Sequence, residues 1–365
     1  MSKRQIKIFL SLLLAATFVL VLSACAPGEL KSPGTGAESE AVTAQKKAKS
    51  KVRKERPKLS LSSDSYPLTV TDADGVETEL KALPKRVAVL AGTPLNIWYD
   101  LGGSSICTSQ IADKNLKILQ ERKDEMLALP EVGAVYALNM EAILAQEPDL
   151  VIAQSGVQTQ PIKALRDMDI PVISTLTLSF QDVLNIYQTF GVLLQKPDLA
   201  EARIAKMKEE YQSYKDKLPA QSKSVVIIYL TADSLAVKLD HSIAGEIAKE
   251  LKIKNIASGL PAMTLGSEAA PLDIEYVVEK DPDMILVTSM VGSNELAVET
   301  MKKHFADNAA WQSVRAVAEN QVYYLPQEYF LYNGGPYYME AVHYMASTVY
   351  PEIFGPVSEW YKENK

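Results

Sequence analysis

One short pattern occurs twice in this chain and limits what it can fold into. LNMEAILAQEPDLVIAQSG (138–156) and LDIEYVVEKDPDMILVTS (272–289) each read as a short helical stretch, a Pro-Asp turn and an unbroken apolar run. An apolar run bounded by turn signals, with no polar residue on alternate positions, is a strand buried on both faces. Such strands sit in parallel sheets with helices above and below. The pattern, met once in each half, predicts an α/β chain of two lobes.

Further runs fit this plan. LTVTDADGVETEL (68–80) alternates around Asp-Ala-Asp-Gly and predicts a β-hairpin. VAVL (87–90), IPVIST (170–175) and SVVIIYL (224–230) predict buried strands, and WQSVRAVAENQVYYLP (311–326) a helix followed by a strand. Helices are expected at 97–101, 180–195, 242–252 and 336–350. Between them PDLAEARIAKMKEEYQSYKDKL (197–218) is charged and periodic, with Pro197 suited to a first helical turn and Pro219 as a stop. It predicts a long connector between two Rossmann-like lobes with central parallel-type sheets. The expected boundaries are a first lobe over 66–195, a connector over 196–219 and a second lobe over 220–365.

The first 65 residues read differently. Lys3, Arg4 and Lys7 precede the uncharged run FLSLLLAATFVLVLSA (9–24), which ends before Cys25. This is the layout of a secretory signal over 1–24, and Leu22-Ser23-Ala24-Cys25 resembles the bacterial lipobox, in which the cysteine is acylated. Residues 25–65 hold almost no large apolar side chains and predict a flexible tether. Its run KKAKSKVRKERPK (46–58) carries eight basic residues and one acid and suits anionic headgroups beside a lipid anchor. From Tyr66 onward 26 basic residues face 40 acidic ones; an acidic, exported body argues against nucleic acid as a partner. With Cys25 acylated, Cys107 has no disulfide partner, and no Cys/His spacing suits a zinc module. No Gly-x-Ser-x-Gly elbow or His/Asp/nucleophile set is present either, so an enzyme is not expected.

Four segments, YPLTVTDADGVETELKALPKRVAVL, ALPEVGAVYALNMEAILAQEPDLVIA, DIEYVVEKDPDMILV and NAAWQSVRAVAENQVYYLP, resemble in order and spacing the substrate-binding lipoproteins of iron-complex and cobalamin ABC importers. The resemblance spans about residues 66 to 354. It implies two lobes joined by one rigid helix, a ligand in the cleft between them, small motion on binding, and a monomer anchored on the extracytoplasmic face of the cell membrane. It implies no intrinsic cofactor; the partners are a permease dimer with its ATPase and a small metal chelate. It also implies that Glu141 and Glu275, one per lobe, dock onto permease arginines. The alternative for both is a solvated helix-surface charge.

For the ligand the resemblance ranks haem first, a ferric siderophore second and a corrinoid third; a haem or chelate sensor on the same fold stays open. DHSIAGEI (240–247) resembles a haem-ligating stretch and places His241 on its histidine, the other reading being a half-buried histidine bonded to backbone. Tyr136 in EVGAVYALNME takes the position of a methionine ligand in the first lobe, and a tyrosinate is a hard ligand suited to ferric haem. Met140 is a weaker substitute, with core packing as its alternative. Tyr329, Tyr332, Tyr337 and Tyr338 form either a wall for a planar macrocycle or lobe packing, and Trp98 is a further wall candidate. Lys238 or Thr93 is expected to bond haem propionates. His304 and His343 are expected to be solvated or packed.

Overall fold

The computed structural model describes residues 56–111, 118–264, 266–331 and 335–358. The expected signal segment, Cys25, most of the basic run and Tyr332 lie outside the described residues.

The chain opens with an antiparallel sheet of β1 (Ser60–Leu61), β2 (Leu68–Thr71) and β3 (Glu77–Leu80), ordered β1-β2-β3. Asp72, fully buried in the β2–β3 turn, accepts hydrogen bonds from the amides of Asp74, Val76 and Ser174, each at 3.0 Å, and pairs with Arg166. One carboxylate therefore fastens the hairpin to the sheet that follows. β4 (Val87–Val89) leads into α1 (Gly92–Asp100), and α2 (Lys123–Leu127) precedes a tight hairpin of β5 (Gly133–Ala134) and β6 (Ala137–Leu138). Then come α3 (Met140–Leu144), β7 (Leu150–Gln154), α4 (Thr159–Asp167), β8 (Val172–Thr175) and α5 (Phe180–Leu193). β4, β7 and β8 form a parallel sheet in the order β4-β7-β8. Val87 and Val89 pack on one face of it and Ala88 and Leu90 on the other, which is why the run carries no alternation. α5 starts with a capping box between Ser179 and Asp182.

α6 (Pro197–Lys215) follows directly, with Pro197 in its first turn as expected. At 1.5 Å per residue its 19 residues span about 28 Å. It packs closely on α5: a Cβ placed on Gly191 would lie 2.4 Å from that of Ala200. Only Ala200 and Met207 of α6 are buried. Its early turns hold Arg203, 3.0 Å from Asp100, and its late turns hold Tyr211, hydrogen-bonded to Glu250, and Tyr214, 2.6 Å from His343 Nδ1. One end of α6 thus contacts the first lobe and the other end the second.

The second sheet is built from β9 (Ser224–Thr231), β10 (Leu235–Lys238), β11 (Lys254–Asn255), β12 (Ala269–Pro271), β13 (Met284–Met290) and β14 (Val322–Tyr324). The order is β12-β10-β9-β13-β14, with β11 also paired to β9. Its helices are α7 (Ile243–Glu250), α8 (Ile274–Lys280), α9 (Asn294–Asp307), α10 (Arg315–Ala318), α11 (Gln327–Phe330), α12 (Tyr338–Val349) and α13 (Pro351–Phe354). β9, β13 and β14 run parallel, as expected, but β10 runs antiparallel to both its neighbours, β9 and β12. The cause is the connection: three residues separate β9 from β10, and so short a link permits only an antiparallel return.

The lobes also touch away from α6. Phe180, which also stacks on Tyr211 of α6 at 4.5 Å between centroids, lies 5.4 Å from Tyr338 of the second lobe. Tyr337 Oη donates to the Ile118 carbonyl at 3.0 Å.

Candidate functional site

In open α/β sheets, ligands bind beyond the carboxyl ends of the parallel strands. Here those ends are Val89, Gln154 and Thr175 in the first lobe and Thr231, Met290 and Tyr324 in the second. The two lobes meet at the contact between Phe180, after β8, and Tyr338, at the start of α12. Among the described residues, four of the exposed large apolar side chains lie along these edges: Tyr136, Val157, Met290 and Leu296. Tyr136 is 71% exposed and Met290 46%. Exposed apolar groups at strand ends are candidates for a binding surface.

Tyr136 stands in the turn between β5 and β6. That hairpin is held by Gln158, a residue the sequence did not single out. Gln158 is 1% exposed; its Nε2 donates to the carbonyls of Leu90 (2.7 Å) and Val135 (3.1 Å), and its Oε1 accepts from the Gln154 amide (2.8 Å). Two carbonyl acceptors and one amide donor fix which end of the carboxamide is which. Thr93 is half-buried in the first turn of α1, directly after β4.

Met290, also absent from the sequence-derived candidates, ends β13. Tyr229 Oη donates to its sulfur at 3.1 Å. The Lys238 ammonium sits 4.1 Å from the Tyr229 ring centroid and 3.4 Å from Glu268 Oε2. The site thus joins an aromatic hydroxyl, a soft thioether and a cation already neutralised by a carboxylate.

Several expected site residues lie elsewhere. β10 pairs antiparallel with β9, Val237 opposite Ile228. The chain beyond Lys238 therefore heads away from Thr231 and Met290, and His241 leaves the carboxyl edge. Its Nε2 donates to the Ser267 carbonyl at 2.8 Å, and it is the half-buried, backbone-bonded histidine of the alternative reading. Beside it Ser242 caps α7, and Gly245 is required because a Cβ there would lie 2.1 Å from the Leu239 oxygen.

Trp98, expected as a wall residue, is buried. α1 starts at Gly92 rather than Ile97, which turns the indole into the core, edge-on to Phe190 at 5.1 Å with Nε1 bonded to the Ser104 carbonyl. Tyr329 and Tyr338 are buried, at 1% exposure each, and act in packing. Tyr337 is half-buried and bonded to Ile118; burial, then the Glu340 carboxylate, holds its phenol above the ordinary tyrosine range. Met140 packs against the first-lobe core. His343 is bonded between Tyr214 and Ser347, and His304 is half-buried in the last turn of α9. Cys107 is buried, and burial pushes its thiol up to about 11, so it is unreactive at neutral pH.

Glu141 and Glu275 are both exposed, each in the first turn of a short helix capped by Asn139 or Asp273. α3 and α8 each precede a parallel strand, so both glutamates face the carboxyl edges. Among the described residues no group of His, Cys, Asp and Glu side chains is arranged to hold a bare metal ion, and no helix is long and apolar enough to cross a membrane.

The sequence matches the family described as Periplasmic binding protein over residues 87–329. The chain is 23% identical over 306 residues to the ABC transporter substrate-binding lipoprotein YvrC of Bacillus subtilis, covering 81% of this chain and 90% of that protein. It is 23% identical to the Fe(3+) dicitrate-binding periplasmic protein FecB of Escherichia coli, covering 72% of this chain and 84% of that one. Among solved structures, S. aureus IsdE complexed with heme superposes with a TM-score of 0.63 at 18% identity, covering 73% of this chain and 98% of that one.

Proposed function

We infer that this chain, which belongs to the periplasmic binding protein family, captures an iron complex at the carboxyl strand edges of its two lobes and delivers it to an ABC permease. As a member of that family it is a transport binder rather than an enzyme. Haem is the ligand the geometry favours. The observation that carries this reading is Tyr136, an exposed phenol on a braced turn, with the Met290 thioether on the other lobe's edge. A phenolate is an established axial ligand to ferric haem, and a thioether is a second. In this reading Thr93, in the first turn after β4, is the hydroxyl partner for a propionate, and Val157 and Leu296 supply apolar surface for the macrocycle.

A ferric chelate such as that named for FecB is the second reading. A polyanionic chelate calls for several cations, whereas Lys238 is already paired with Glu268. Glu141 and Glu275 are the permease-docking carboxylates in this account, because exposed charges at a rim orient an encounter and add modest affinity. Cys25 carries the acyl anchor that holds the monomer at the extracytoplasmic face of the membrane, with residues 25–65 as its tether.

Titration of the purified protein with haemin tests the reading. A saturable, stoichiometric shift of the Soret band is expected. Tyr136→Ala weakens binding about tenfold or more and changes the band, while His241→Ala leaves it unchanged. A flat spectrum with the unaltered protein overturns haem and moves the assignment to ferric chelates.

A further inference from the structure

Each lobe contains one nearly inaccessible glutamine beside its carboxyl edge, in the same kind of place. Gln158 caps the start of α4, four residues after the end of β7, and Gln327 opens α11, three residues after the end of β14. Both are 1% exposed. Gln158 Nε2 bonds the Leu90 carbonyl at the end of β4 and the Val135 carbonyl next to Tyr136, at 2.7 and 3.1 Å. Gln327 Nε2 bonds Ser289 Oγ and the Val291 carbonyl, both at 2.9 Å, and these two residues flank Met290. The Gln327 amide is itself held by Asn294 Oδ1 at 3.3 Å.

We propose that Gln158 and Gln327 are a matched pair of positioning residues, each fixing one ligand-facing side chain, Tyr136 in the first lobe and Met290 in the second. The ligand-facing role of those two side chains rests on the proposed function; the bracing itself does not.

The physical case is one of local economy. The β5–β6 hairpin has two residues in each strand, too few to hold a turn by their own ladder. Met290 is the last residue of β13, where the ladder with β9 ends at Thr231. In both places a buried carboxamide supplies two donors to acceptors that the sheet does not bond. Buried acceptors left without donors are costly, so each loop stays where its glutamine holds it. Rigid support behind a binding group is what keeps its geometry productive. Sequence patterning gives no hint of this, since a glutamine in a loop reads as solvated.

Hydrogen exchange on the ligand-free protein, followed by mass spectrometry, separates this role from a general structural one. Gln158→Met keeps the volume and removes the donors. Amides of 133–138 are expected to exchange about tenfold faster or more, with 289–294 unchanged. Gln327→Met is expected to give the reciprocal result. Where a Met variant does not fold, Gln158→Glu or Gln327→Glu keeps the shape and an acceptor and is read in the same way. Unchanged exchange in both segments, or acceleration spread across the lobe, overturns the proposal. Haemin titration of the folded variants adds a second readout: an altered Soret position with Gln158→Met supports the positioning of Tyr136. If the unaltered protein does not bind haemin at all, the haem reading fails, while the exchange data still judge the glutamine pair.

Discussion

At the scale of single residues, three side chains have sharply different consequences. Asp72 is a fully buried carboxylate with three amide donors and Arg166 as partners. Asp72→Ala removes the group that joins the hairpin to β8 and leaves Arg166 with only the more distant Asp74 as carboxylate partner; it is expected to lower unfolding free energy by roughly 3 kcal/mol, measured by denaturant titration. Gly245→Ala drives a methyl group into the Leu239 carbonyl and is expected to cost about 1–3 kcal/mol by the same measurement. His241→Ala, by contrast, loses one bond to a backbone carbonyl and is expected to leave ligand binding unchanged in a haemin titration. The sequence could not separate His241 from a true ligand. Its place just before a helix cap is real, but which sheet edge that helix starts from depends on the antiparallel return of β10. Met290 is the complementary case: a methionine closing the buried strand run MILVTSM reads as core, and only the end of the ladder at Thr231 exposes it.

At the scale of elements, the buried strands were legible because both faces of each are covered, so apolar continuity and bounding turns suffice to find them. The hairpin around Tyr136 was not, since two-residue strands leave no periodicity to read. α6 was legible from Pro197 and its charge pattern, and its attachments give a pH prediction. Burial lowers the His343 pKa from 6.5. Burial, then the Glu210 carboxylate, raises that of Tyr214, so Tyr214 stays protonated and donates to a neutral Nδ1. Because the folded-state pKa is the lower one, the unfolded chain takes up the proton first. Stability is therefore undiminished above about pH 6.5 and falls as pH drops below it. His343→Gln is expected to flatten that decline in thermal melts between pH 7 and 5; an unchanged slope refutes the assignment. Phe180→Ala, which removes the ring that stacks on Tyr211 and abuts Tyr338, is expected to cost about 3–5 kcal/mol.

At the scale of the whole molecule, two lobes linked by one helix also meet at the Phe180–Tyr338 and Tyr337–Ile118 contacts, and small motion on binding is expected. A single helix has no flexible strands to absorb large dihedral changes. In the proposed delivery to a permease, Glu141 and Glu275 orient the encounter: reversing both charges with Glu141→Arg and Glu275→Arg is expected to abolish permease-dependent uptake with ligand affinity intact. The two-lobe plan was readable from the sequence because the helix, Pro-Asp and strand unit occurs in each half. The placement of the site was readable only in part, because it depends on which strand ends share an edge. The most direct test of the central claim is equilibrium binding of haemin, a ferric siderophore and cobalamin to the purified protein and to its Tyr136→Ala and Met290→Ala variants. The account predicts saturable one-to-one binding of an iron complex, haemin foremost, weakened about tenfold or more by either substitution. Binding of none of the iron complexes, or binding indifferent to both substitutions, contradicts it.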